Sequence, residues 1–133
     1  RHRFGLSLLS DARGMVMVGE ELFVCNRGND RLQVFSLAGE HRRSITGEWK
    51  RPLTLCFVKD RLYLLEEDGE GPLQGRRIFV LSLQGDTLQV YRHPDEGQLF
   101  GDSLCCFDGK LLAPVQDRSH VGITKEVVAL CGV

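Results

Sequence analysis

The sequence lacks most of the signals that announce chemistry. No stretch approaches the about 18 consecutive apolar residues of a membrane span. The basic start Arg1-His2-Arg3-Phe4 is broken by Asp11 and Arg13 before a secretory apolar core can form. There is no Cys-x-x-Cys pair, so zinc-ribbon and thioredoxin-like readings have neither ligand nor redox spacing. No Gly-x-Ser-x-Gly elbow and no phosphate-cradling glycine loop is present. No helical i, i+3, i+4 pattern of useful length runs anywhere. Neither sign of charge dominates: 17 Lys and Arg face 18 Asp and Glu, a net charge of −1. That argues against a bulk electrostatic grip on nucleic acid or an anionic membrane, though a local patch is compatible with it. His2, His41, His93 and His120 stand at no metal-ligand spacing, and no cofactor is expected.

What is present is an apolar chain of one domain's length. It has 133 residues, 42% of them hydrophobic and 26% charged, enough to bury a core. It begins at Arg rather than Met, as a piece of a longer or processed chain would. The five cysteines, Cys25, Cys56, Cys105, Cys106 and Cys131, all lie in apolar runs. They read as buried small hydrophobes in a reducing compartment, which places the protein inside the cell, in the cytoplasm. Adjacent Cys105 and Cys106 point to opposite faces of a strand and are poorly placed to bond each other.

The strongest signal is an internal repeat. Val16–Cys25, Leu55–Leu65 and Leu104–Ala113 each read as an apolar run, a short polar turn and a second apolar run, a β-hairpin. A third strand follows each: Arg31–Leu37, Arg77–Leu83 and Glu126–Cys131. The first two end alike, in Ser-Leu-Ala-Gly-Glu and Ser-Leu-Gln-Gly-Asp, tight turns with Gly39 and Gly85. Polar fourth strands follow at His41–Thr46 and Thr87–Arg92. Leu22 to Leu62 is 40 residues and Leu62 to Leu111 is 49. A four-stranded unit of that period predicts an all-β fold of β-propeller blades, three of them present. The expected boundaries are an outer closing strand at 2–9, blade one at 13–46, blade two at 51–92 and blade three at 103–133, lacking its outer strand.

The stretch Leu22–Gly39 resembles an NHL repeat: an apolar strand, a polar loop with Asn29, then Arg31-Leu32-Gln33-Val34-Phe35 and a glycine turn. Arg77-Ile78-Phe79-Val80 and Gly85 repeat the pattern more loosely, and the third unit keeps the apolar frame with Glu126 in the arginine's place. The resemblance implies a six-bladed ring, of which this chain would be half, and a surface for proteins or RNA, with enzymes a minority of relatives. Three blades leave two sheet faces open, so a homodimer is expected to complete the ring, with Phe4, Leu6 and Leu8 of one copy pairing Val127–Cys131 of the other. The competing expectation is a fragment of a longer propeller chain.

Loops on a rigid scaffold are where function concentrates. By this register one face gathers 26–30, 66–75 and 116–124, together with 47–51 and 94–102. The first reading is a non-catalytic scaffold taking a protein partner there, with Arg27, Asn29, Trp49, Glu67, Asp68, Arg76, Asp117, Arg118 and His120 as contacts. The second is RNA binding through Arg42, Arg43, Trp49, Lys50 and Arg51, the ring stacking a base while the cations hold phosphate. Against it, and favoured over it, Trp49 reads as an inter-blade packing residue and the arginines as a solvated outer strand. The third is a metal-dependent hydrolase or lyase at the channel mouth, whose would-be lining, Met15–Val18 and Leu53–Cys56, is mostly apolar. Arg31 and Arg77 open equivalent strands and read as structural, Arg77 pairing with Glu66. The run Glu66-Glu67-Asp68-Gly69-Glu70 reads as a solvated acidic loop, without the alternating spacing of a calcium loop.

Overall fold

A computed structural model describes residues 8–67, 77–92, 98–101, 103–117 and 124–130. The described residues form three antiparallel sheets of four strands. Sheet one runs β1 (Ala12–Val18), β2 (Glu21–Asn26), β3 (Arg31–Ser36) and β4 (His41–Ile45) in simple up-and-down order. Sheet two repeats it with β5 (Pro52–Val58), β6 (Arg61–Glu66), β7 (Ile78–Leu81) and β8 (Thr87–Tyr91). Sheet three comprises β9 (Gln98–Phe100), β10 (Cys105–Phe107), β11 (Lys110–Asp117) and β12 (Thr124–Leu130). Among the described residues no helix is long and apolar enough to cross a membrane.

Local chemistry explains the repeat. In the β5–β6 hairpin Lys59 (φ 48°) and Asp60 (φ 64°) are both left-handed, as are Asp108 (φ 51°) and Gly109 (φ 69°) between β10 and β11. Two left-handed residues in a two-residue loop match the twist of the paired strands. The two Ser-Leu-x-Gly turns are built identically. Ser36 N donates to Glu40 O and Ser82 N to Asp86 O, and each serine hydroxyl oxygen accepts the same acid's N–H at 3.1 Å. Gly39 (φ 89°) and Gly85 (φ 100°) adopt a backbone that side chains resist.

Blade three was expected to open at 103, but pairing begins at Gln98. β9 and β10 lie along one edge of β11, Phe100 opposite Val115 and Cys105 opposite Leu112, as two pieces of one broken strand. The break has a cause. Pro114 offers no N–H, and its carbonyl accepts Gly101 N at 2.7 Å, so the missing donor faces the interruption. The outer strand expected at 2–9 lies outside the described residues but for its last two; Leu8 there is exposed.

The sheets stack face to face through two apolar clusters. At the first junction Phe23, Cys25, Leu32 and Val34 of sheet one meet Leu55, Leu62, Leu64, Phe79 and Leu81 of sheet two, with Trp49 among them. At the second, Tyr63, Leu65, Ile78 and Val80 meet Phe100, Leu111, Ala113 and Val115. Alternation makes this possible, since residues 62 and 64 face one neighbour and 63 and 65 the other. β1 and β5 pass close together at Gly14, where a Cβ would lie 2.5 Å from Thr54 Cα.

The expectation that the cysteines are buried holds for Cys25 and is corrected for two others. Burial pushes the Cys25 thiol up in pKa, and Cys56, half-buried, is raised to about 11 by burial, with Cys105 and Cys106 adding. Cys105 and Cys106 are exposed, because their strand lies at the edge of sheet three. All four are free thiols, and Cys131 lies outside the described residues.

Candidate functional site

The ends of β2 and β4 and the starts of β3 and β5 converge on one face at the first junction. Asn26, at the end of β2, is fully buried. Its Oδ1 accepts Ser10 N at 2.7 Å and its Nδ2 donates to Leu8 O at 2.8 Å. Forty residues on, Glu66 ends β6, also fully buried, and its Oε2 accepts Lys50 N at 2.7 Å. Both side chains staple the connection that enters their own sheet. Glu66 carries a charge as well, and Arg77 Nε donates to its other oxygen in the ion pair expected from the sequence. Arg77 also lies over the Phe79 ring, 4.9 Å from its centroid. Arg31, its counterpart in sheet one, is exposed and donates to Asn29 O.

A chain of ion pairs crosses from one sheet to the next. Arg13 meets Asp11, Asp11 meets Arg27, and Arg27 Nη2 reaches Glu67 Oε1 at 3.0 Å. Glu67 Oε1 also takes Arg51 Nη2 at 3.3 Å. The Asp30 carboxylate accepts Arg51 N at 2.7 Å, a second bond from sheet one to the entrance of sheet two. Arg27 is mostly shielded, its side chain 14% exposed. Burial disfavours its charge, but Asp11 and Glu67 together outweigh that and hold its pKa above the ordinary value. Asp11 is held below the usual carboxylate range, first by the Arg27 hydrogen bond.

The expected contact residues are placed unequally. Arg27 and Glu67 are brought together as partners of each other rather than as free contacts. Asn29 is exposed beside them, its Nδ2 near Leu8 O. Asp68, Arg76, Arg118 and His120 lie outside the described residues; Asp117 ends β11, remote in the chain from this cluster. Trp49 is corrected as a contact and holds as the packing residue: it is fully buried in the first-junction core and offers no ring face to a base or a partner. The segment dips the ring between sheets while flanking Lys50 stays exposed. Arg42 is exposed, whereas Arg43 is held by Glu21 at 3.0 Å and by Leu83 O at 3.2 Å, over the Phe23 ring. Arg43 is therefore an inter-sheet clamp, corrected from a free phosphate hook. The Arg27–Glu67 and Asp30–Arg51 contacts escaped the sequence reading, since partners 40 and 21 residues apart carry no local signature. Among the described residues no group of three or more His, Cys, Asp or Glu is placed to hold a metal ion.

No protein-family profile matches the chain, and no curated protein sequence matches it. Solved structures do share its fold. A computationally designed protein, Ika8, aligns over 90% of this chain at 13% identity with a TM-score of 0.58. A Bacteroides fragilis protein described as exported aligns over 94% at 16% identity with a TM-score of 0.61. At such identities the likeness concerns fold alone. The chain spans 36% of the designed protein and 41% of the bacterial one.

Proposed function

We propose that the three sheets are consecutive blades of an NHL-like β-propeller, and that the chain is a non-catalytic scaffold taking a protein partner on its loop face. Three features support the propeller reading: identical strand order in the first two sheets, face-to-face stacking, and likeness to structures more than twice as long. The observation that carries the binding reading is the ion-pair chain Asp11–Arg27–Glu67–Arg51. It fixes this face in one geometry before any partner arrives, and around it Asn29, Arg31 and Lys50 stand exposed. A preorganised polar surface with protruding donors costs little ordering on binding. Those donors suit an acidic or carbonyl-rich segment of a partner.

The test is affinity capture from cell extract with the wild-type chain and with Arg31→Glu/Lys50→Glu, both positions exposed in the fold. A partner recovered by the wild type should be lost by the variant. Equal recovery by both places the binding surface elsewhere.

A further inference from the structure

Three of the free thiols gather at one edge of the second junction. Cys56, on the edge strand β5, packs half-buried against the second cluster, on the side of sheet two that meets sheet three. Cys105 and Cys106 lie on β10, whose Cα atoms come within 8 Å of those of β5.

Strand register decides which of the two faces Cys56. Residues directly opposite on paired antiparallel strands project to the same face of a sheet. Cys106 is opposite Leu111, which is buried against sheet two, whereas Cys105 is opposite Leu112. Leu104 packs into the same cluster, and alternation puts position 106 on its side. Across the junction, Tyr63 of β6 stands opposite Cys56 and belongs to that cluster too. Cys106 is felt at both. Burial raises the Cys56 thiol to about 11, with Cys105 and then Cys106 adding, and Tyr63 is raised by burial, by Tyr91 and also by Cys106. The Cys105 Sγ lies 3.8 Å from the carbonyl oxygen of Cys106.

We propose that Cys56 and Cys106 form a reversible disulfide that clamps sheet two to sheet three. A disulfide asks for about 4.4–6.8 Å between Cα atoms. β10 is three residues long and sits at a sheet edge, between the break after β9 and the Asp108-Gly109 turn, so it can make that adjustment without moving the buried strands. A small disulfide such as oxidised glutathione is the oxidant. Exposed Cys106 meets it first: its thiolate attacks one sulfur, the glutathione S–S bond breaks, and one glutathione thiolate leaves. Cys56 then gives up its proton, attacks the Cys106 sulfur and expels the second glutathione thiolate. Two protein thiols are oxidised, one glutathione disulfide is reduced, and the two released protons end on two glutathione thiols. Cys56 and Cys106 lie 50 residues apart, so the link closes a long loop and restricts the unfolded chain. The clamp depends on the stacking of sheets two and three, and on neither the propeller reading nor the loop-face partner.

The test equilibrates the full chain over a series of oxidised-to-reduced glutathione ratios, quenches it with acid, alkylates the remaining thiols and maps its peptides without reduction. The expected product is an intrachain Cys56–Cys106 link that grows with the ratio and reverses when reduced glutathione is added. Cys105→Ser should keep the link, and Cys106→Ser, at an exposed position, should lose it while its reduced form unfolds like the reduced wild type. The urea midpoint of the oxidised wild type should lie above that of the reduced form, and this gap should vanish in Cys106→Ser. A wild-type chain that carries only glutathione adducts overturns the proposal. So does a predominant link through any other pair of cysteines, Cys105 with Cys106 included. An oxidised midpoint no higher than the reduced one overturns the clamp.

Discussion

The two junctions follow one plan with different materials. The first packs large side chains, Trp49, Phe23 and Phe79 among them, and adds directional bonds from sheet one to sheet two: Arg27 to Glu67, Asp30 to Arg51, and Arg43 to the Leu83 carbonyl. The second mixes two rings, Tyr63 and Phe100, with the smaller Ala113, Val115, Val58 and Val80, and has no tryptophan. Apolar burial is non-directional, whereas a hydrogen bond fixes distance and angle. The repeat thus supplies the packing frame, and among the described residues loop side chains lock the first junction into a set geometry. The comparison predicts a first junction that is both stronger and more rigid.

The largest expected effect is at Trp49. Trp49→Ala removes a fully buried ring and should cost about 3–5 kcal/mol, in the upper range for core truncations. Leu111→Ala, its test at the second junction, should cost about 2–3 kcal/mol. Urea unfolding of both variants decides the ranking. A greater loss from Leu111→Ala would reverse the comparison. Next comes the close passage of β1 against β5. Gly14→Val forces a side chain into Thr54 Cα and the Leu53 carbonyl, 2.5 and 2.9 Å from the added Cβ, and should destabilise by about 2–3 kcal/mol. A neutral result there would mean the sheets slide apart freely, contrary to a locked junction.

Glu66→Gln comes third, at about 1–3 kcal/mol. The amide can still accept Lys50 N, but Arg77 loses its charged partner. Asn26 staples sheet one without a charge and also donates its Nδ2 to Leu8 O, so Asn26→Asp should destabilise. If Glu66→Gln unfolds like the wild type, the ion pair adds no stability to the staple, and neutral Asn26 and charged Glu66 are equivalent.

The strand frame was legible because alternation and turn chemistry are local. Ser36-Leu-Ala-Gly-Glu40 and Ser82-Leu-Gln-Gly-Asp86 wrote their hydrogen bonds into five residues each. The Arg77–Glu66 pair was legible because repeat register sets both at one end of neighbouring strands. Trp49 was half legible: packing between repeat units was the favoured reading of the ring, but flanking Glu48, Lys50 and Arg51 kept a surface reading in play. The broken first strand of sheet three was hidden because its cause, Pro114, lies on the partner strand. The loop-face cluster was half legible: Arg27 and Glu67 were named as contacts, but only the fold showed them holding each other and brought Asp11 to them.

The smallest effect tests the outermost link of the first-junction lock. Arg27 donates to Asp11, and with Arg13 nearby this holds the Asp11 carboxyl below its ordinary 3.8. A carboxylate whose pKa is depressed by folding binds protons less readily folded than unfolded. Its contribution is therefore complete above the ordinary value and lost as pH falls through the folded one. Stability of the wild type and of Asp11→Asn should differ by a small, constant amount near neutrality. The two curves should converge as the pH drops below about 4. Because Asp11 lies at the surface, added salt should shrink the neutral-pH gap too. Thermal unfolding across that acid range at low and high salt reads both effects. A gap that persists unchanged into acid would show that Asp11 acts through its shape rather than its charge. The directional lock between sheets one and two would then begin at Arg27 and Glu67.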